Sequence, residues 1–165
     1  MHQVYLSLGS NLGDSLHILQ SAVKTLRETE GILSVTPSSL YKTAPIGPKQ
    51  PDFLNAALKI ETTLSPLELL RKTQTIENAH DRERKEHWGP RTLDIDLILY
   101  EDKIINHPDL KIPHPEMHRR GFVLVPLYEL NPRLKSPTHG SIEQLLTTID
   151  HLDDVILIPQ ESASL

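Results

Sequence analysis

At 165 residues, with 38% hydrophobic and 24% charged content, the chain is long enough for one packed domain and too short for two ordinary ones. Its net charge of −5 argues against a general binder of nucleic acid or anionic membranes, and the absence of cysteine excludes disulfides and thiolate metal sites. No apolar stretch reaches bilayer-spanning length and the first residues lack a basic-then-apolar leader, so a single cytoplasmic domain over 1–165 is expected.

Val4, Leu6 and Leu8 alternate with Tyr5, Ser7 and Gly9 and predict a first strand. A Gly-Ser-Asn-Leu-Gly turn follows, with Asn11 or Asp14 able to cap the next helix. It matches neither common phosphate-binding glycine pattern and reads as structural. Leu16, Leu19, Ala22, Val23 and Leu26 recur at helical spacing, with Gly31 as the stop. Residues 32–41 predict a second strand in which Pro37 marks an edge or a break. The loop from Thr43 to Pro51 carries three prolines and reads as a lid or a connector. In the third strand Leu54, Ala56, Leu58 and Ile60 face the core, which puts Phe53 and Asn55 together on the other side.

Ser65-Pro66-Leu67-Glu68 is a helix start with a cap, a first-turn proline and a capping-box glutamate. On that helix Leu67, Leu70, Gln74 and Glu77 form one row, apolar at its beginning and polar at its end. The row suits a helix running out into water as well as a polar pocket. From His80 to His87 nearly every residue is charged, and Arg82, Arg84, Lys85 and Arg91 could close over a neighbouring anion.

The stretch WGPRTLDIDLIL, Trp88 to Leu99, then places Leu93, Ile95, Leu97 and Leu99 on one strand face and Asp94 and Asp96 on the other. Strand geometry sets the two aspartate Cα atoms roughly 6.5–7 Å apart with both side chains pointing the same way. Adjacent carboxylates repel, so a cation is expected: solvent ions, a Lys or Arg partner, or one or two Mg²⁺ ions. Beyond it come a proline-rich connection, an apolar helix from Phe122 to Leu130 despite Pro126, a helix over 141–149 and a short apolar run from Val155 to Ile158. The order strand, helix, strand, strand, helix, strand predicts an α+β fold with a ferredoxin-like β-α-β-β-α-β core, followed by mainly helical additions. Its two helices cover one face and leave Phe53, Asn55, Asp94 and Asp96 on the other.

The segment from His87 to Ile98 resembles the signature of the 6-hydroxymethyl-7,8-dihydropterin pyrophosphokinases. The similarity extends through Leu8-Gly-Ser-Asn-Leu, Tyr41-Lys-Thr-Ala-Pro, Pro51-Asp-Phe-Leu-Asn-Ala-Ala57 and Arg120-Gly-Phe122, in that order along most of the chain. It implies an α/β sandwich that transfers pyrophosphate from ATP to the hydroxymethyl of the dihydropterin, giving AMP. It also implies that Asp94 and Asp96 hold two Mg²⁺ ions and that Arg82 and Arg91 are the foremost catalytic cations. Phe53 and Phe122 match the rings that sandwich the pterin and Asn55 matches the reader of its edge, with Thr43, Ala44, Ile46 and Trp88 beside them. Gln74, Glu77, Arg84, Trp88, Arg91, Ile98, His114 and Arg120 match positions around ATP. A monomer without nucleic-acid or membrane partners is implied. The segment from Pro108 to Lys111, and Pro115 after His114, depart from the family pattern. A non-catalytic pterin- or nucleotide-binding module, and a D-x-D nuclease or glycosyltransferase, are the rival classes.

Overall fold

A computed structural model of the protein describes residues 1–11, 14–44, 52–80 and 93–165. The alternating apolar residues of the N-terminus form β1 (His2–Ser10). Asp14 caps α1 (Ser15–Arg27) by accepting the His17 N–H at 3.2 Å. Gly31 turns the chain at φ 93°, a conformation suited to glycine, and leads into β2 (Ile32–Pro37). Next come β3 (Leu40–Thr43), β4 (Phe53–Thr62), α2 (Pro66–His80) and β5 (Asp94–Tyr100). The capping box of α2 forms as expected: Ser65 N–H donates to Glu68 Oε1 at 2.9 Å and Glu68 N–H to Ser65 Oγ at 3.3 Å.

The main sheet runs β3-β4-β1-β5, with β2 continuing along the same side of β4 as β3, and every pairing is antiparallel. This is the predicted ferredoxin-like core. Leu19, Ala22, Val23 and Leu26 of α1, with Leu69 and Ile76 of α2, pack under Leu6, Leu8, Leu58 and Ile60. Removing that apolar surface from water is the main stabilising term on this side of the sheet.

Later elements add to both sides of the sheet. The ribbon β6 (Ile105–His107) and β7 (Leu110–Ile112) packs Leu110 and Ile112 into the α1/α2-side core. By contrast α3 (Gly121–Leu130), the ribbon β8 (Lys135–Ser136) and β9 (Gly140–Ser141), and α4 (Ile142–Leu146) partly cover the other face, and β10 (Val155–Ile158) follows them. Val123, Leu124 and Leu127 of α3 pack on Tyr5, Ala57, Ile98 and Leu99, and β10 extends the sheet beyond β3. Glu129 clamps α3 to the sheet by accepting from the Ser39 amide and hydroxyl and, at 2.6 Å, from Tyr41 Oη. Burial and that carboxylate together push the Tyr41 hydroxyl well above its ordinary pKa.

Three expectations are corrected and one is extended. The mainly helical additions also hold two short ribbons and an edge strand. The strand over 32–41 breaks at Ser38 and Ser39, where the Ser38 hydroxyl accepts the Ala57 N–H at 2.9 Å. The helix over 141–149 stops at Leu146, beyond which the Thr147 and Thr148 hydroxyls bond back to the Gln144 and Leu145 carbonyls. Leu99 does not share a face with Leu93, Ile95 and Leu97. One step along β1, from Leu6 to Tyr5, spans two along β5, from Leu97 to Leu99, so Ile98 is the extra residue of a bulge. Past it, Leu99 faces the α3 side and Tyr100 the α1/α2 side.

Candidate active site

Cross-strand register builds the site. Tyr41, Asn55, Gly9 and Asp94 stand in one row across β3, β4, β1 and β5, and Ala57, Ser7 and Asp96 form the next. On the other side of Asn55, Thr43 lies between Phe53 of β4 and Val155 of β10. A cavity of about 550 Å³ opens over these rows, a volume ordinary for a small-molecule site. Its floor includes Ser7, Gly9, Thr43, Phe53, Asn55, Asp94 and Asp96, and Arg120 and Phe122 at the start of α3 form the opposite wall. The Arg120 guanidinium stands 5.7 Å from the Phe122 ring centroid.

Gly9 explains why the floor is hollow between the amide and the carboxylates. It occupies the place in the row where another residue would project a side chain, and a Cβ there would lie 3.1 Å from Asn55 Oδ1. Asn55 is 3% exposed and donates through Nδ2 to Thr43 Oγ1 at 2.5 Å. That bond uses one amide donor and leaves the carbonyl oxygen on the Gly9 side. Gly9→Ala should therefore crowd the amide and weaken about tenfold the binding of a ligand held at the Asn55 end of the cavity, while leaving binding at the carboxylate end within twofold. Titration calorimetry of the ligand for each end checks this, and unchanged affinity at the Asn55 end would refute it.

Asp94 and Asp96 are both half-buried, share the α3-side face and line the cavity. Among the described residues no group of three or more His, Cys, Asp or Glu is gathered for a metal. Two carboxylates lining one cavity fit Mg²⁺, which takes one or two carboxylates and keeps places for water and phosphate oxygens. Beside them, the half-buried His114 ring has its pKa lowered chiefly by burial; Asp96 opposes that shift and Arg120 adds to it. His114 Nδ1 accepts the Glu116 N–H at 3.1 Å, leaving the proton of the neutral ring on Nε2.

The cavity thus gathers Thr43, Ala44, Phe53, Asn55, Asp94, Asp96, Arg120 and Phe122. Gln74, Glu77, Ile98 and His114 are not among its lining residues, although His114 stands close enough to feel Asp96 and Arg120. Glu77 Oε2 accepts the Ile95 N–H at 2.9 Å, so α2 holds β5 between its two aspartates. Gln74, on the same helix, accepts from Arg71 at 3.1 Å. Ile98 is 1% exposed in the core, and its carbonyl accepts the His114 N–H at 3.0 Å. Ile46, Arg82, Arg84, Trp88 and Arg91, with most of the two loops they belong to, lie outside the described residues. Ser7, Gly9, Arg119, His151, Asp154 and Val155 line the cavity without having been singled out in the sequence. Ser7 and Gly9 were readable from the alternation of β1; the others carry no local signal.

The family model for 7,8-dihydro-6-hydroxymethylpterin-pyrophosphokinase (HPPK) matches residues 5–132. A Haemophilus influenzae 2-amino-4-hydroxy-6-hydroxymethyldihydropteridine pyrophosphokinase is 46% identical over 147 residues, covering 88% of this chain and 92% of that protein. A Bacillus subtilis protein of the same name is 45% identical over 142 residues, covering 85% of each. A solved Plasmodium falciparum HPPK-DHPS structure superposes with a TM-score of 0.72 at 17% identity, over 89% of this chain and 45% of that one. The last likeness speaks for the fold alone, and this chain spans under half the length of that protein. At such identity, across most of both sequences, the chain belongs to the 7,8-dihydro-6-hydroxymethylpterin-pyrophosphokinase family and is a pyrophosphokinase, a transferase.

Proposed function

We propose that this pyrophosphokinase moves a diphosphoryl group from ATP to the hydroxymethyl oxygen of 6-hydroxymethyl-7,8-dihydropterin, releasing AMP, within folate biosynthesis. The two-ended cavity carries the reading. An aromatic pair with a buried amide lies at one end, and two carboxylates lie at the other. Two inter-strand steps, roughly 10 Å, separate Asn55 from Asp94 across Gly9.

At the first end Phe53 and Phe122 stack the flat heterocycle, each stack contributing about 0.5–1.5 kcal/mol beyond area burial. Asn55 and the Thr43–Ala44 backbone read its polar edge. At the second end Asp94 and Asp96 hold two Mg²⁺ ions, which when bound neutralise phosphate charge along the triphosphate. ATP lies along the outer edge of β5, which Glu77 meets at the Ile95 amide, with Gln74, Ile98 and His114 assigned to it by motif resemblance and Arg120 toward the phosphates. Arg82, Arg84, Arg91 and Trp88 are assigned to the nucleotide, and Ile46 and Trp88 to the pterin, on motif resemblance alone. The pterin oxygen attacks the β-phosphorus and loses its proton as the bond from that phosphorus to the α–β bridging oxygen breaks. The chain's main task is to align those atoms and balance charge. The reading of a cytoplasmic monomer rests on the sequence.

AMP release from Mg-ATP should require the dihydropterin, with one AMP formed per pterin diphosphate. AMP formed equally without pterin would overturn the reading, as would tight pterin binding with no AMP formed over hours.

A further inference from the structure

The C-terminal segment past the family-matched residues 5–132 also reaches the cavity, through His151, Asp154 and Val155. Two contacts hold it there. Val155 opens β10 directly opposite Thr43, whose hydroxyl accepts the Asn55 amide. Gly121, immediately before Phe122, lies against the segment, since a Cβ on it would be in ordinary contact at 3.4 Å from Leu152 and Val155 and 3.5 Å from Ile149. The segment therefore braces both walls of the aromatic end, and Asp154 is carried into place by the residue that pairs with Thr43.

The Asp154 carboxylate makes no hydrogen bond or ion pair among the described residues, although its own N–H donates to the His151 carbonyl at 3.1 Å. It is exposed to the cavity mouth rather than engaged in holding the fold. Among the described residues the uncharged acceptors at this end include the Asn55 carbonyl, the Thr43 hydroxyl and the Thr43–Ala44 backbone, and one Asn55 amide donor is committed to Thr43. A dihydropterin presents several N–H donors along its ring edge, and Asp154 adds a charged acceptor for those turned toward the mouth. A carboxylate is the acceptor that satisfies such donors most strongly, because charge-assisted bonds exceed neutral ones.

We propose that Asp154 is a further substrate-binding residue, a carboxylate at the cavity mouth that accepts N–H donors of the heterocycle and is supplied by the C-terminal segment. This rests on the pterin reading of the cavity. It predicts a division of labour: Asp94 and Asp96 serve the phosphate end, and Asp154 serves the heterocycle end. It also disfavours anionic ligands at the mouth, so the phosphates face the other way.

Calorimetric titration of the full chain with 6-hydroxymethyl-7,8-dihydropterin, alongside steady-state AMP release, tests the assignment. Asp154→Ala should weaken pterin binding about tenfold and Asp154→Asn about threefold. Both variants should keep kcat and the KM for ATP within twofold of the unaltered protein, and an unchanged melting midpoint separates lost contact from lost structure. Asp153→Asn, in the same short turn but not lining the cavity, should bind like the unaltered protein. Pterin affinity within twofold of normal in both Asp154 variants would overturn the inference while leaving the pyrophosphokinase reading intact. Absence of pterin binding by the unaltered protein would overturn both.

Discussion

Asp94→Ala and Asp96→Ala should each reduce AMP formation by roughly a thousandfold or more, the scale expected if they anchor the catalytic cations. The fold should tolerate either change. Both side chains are half-buried on one strand face, and deleting one relieves the repulsion of its neighbour. β5 keeps its ladder to β1, its apolar residues in the core and the Glu77 clasp on the Ile95 amide. The melting midpoint should accordingly move by only a few degrees, on the order of 1 kcal/mol or less for a chain of this size. Quenched assays at saturating Mg-ATP and pterin give the rate, and circular dichroism gives the midpoint. Pterin binding should survive in both variants, because Phe53, Asn55 and Phe122 are untouched. Turnover within tenfold of normal in either variant would remove that aspartate from the metal assignment.

Which parts of this site could be read from the sequence follows from the range of the forces involved. Alternation in β4 and β5 depends only on strand period, so the sharing of one face by Phe53, Asn55, Asp94 and Asp96 was available before any coordinates. The start of α2 was equally local, since Ser65 and Glu68 satisfy each other within one turn. The bulge at Ile98 was not: it records a mismatch between β1 and β5, and nothing within DIDLIL announces that the alternation will slip. Glu77 looked like the polar end of a helix row, but its carboxylate meets an amide of the outer strand eighteen residues further on. Asp154 was further out of reach. Its place follows from β10 pairing with β3 more than a hundred residues earlier, and one acidic residue in a polar tail gives no hint of that.

Asn55→Ala separates the two ends of the cavity most sharply and is expected to cost both stability and substrate. The amide is almost fully buried, and its truncation leaves the Thr43 hydroxyl without its donor and opens space above Gly9. An unmatched buried polar group costs about 1–3 kcal/mol, so the melting midpoint should fall by roughly 3–10 °C. Pterin affinity should drop about a hundredfold, because the heterocycle loses the buried partner of its edge and a dry site leaves the unpaired group no solvent. ATP affinity should stay within twofold, since Asp94 lies two strands away and β5 is braced from its far side by α2. At saturating pterin, kcat should recover much of its normal value, the reverse of the aspartate variants, which bind pterin and fail to turn over. Calorimetry with each ligand, together with the split between KM and kcat, reads the contrast. A parallel fall in ATP affinity would mean that the amide and the carboxylates act as one unit, and the division of the cavity at Gly9 would have to be abandoned.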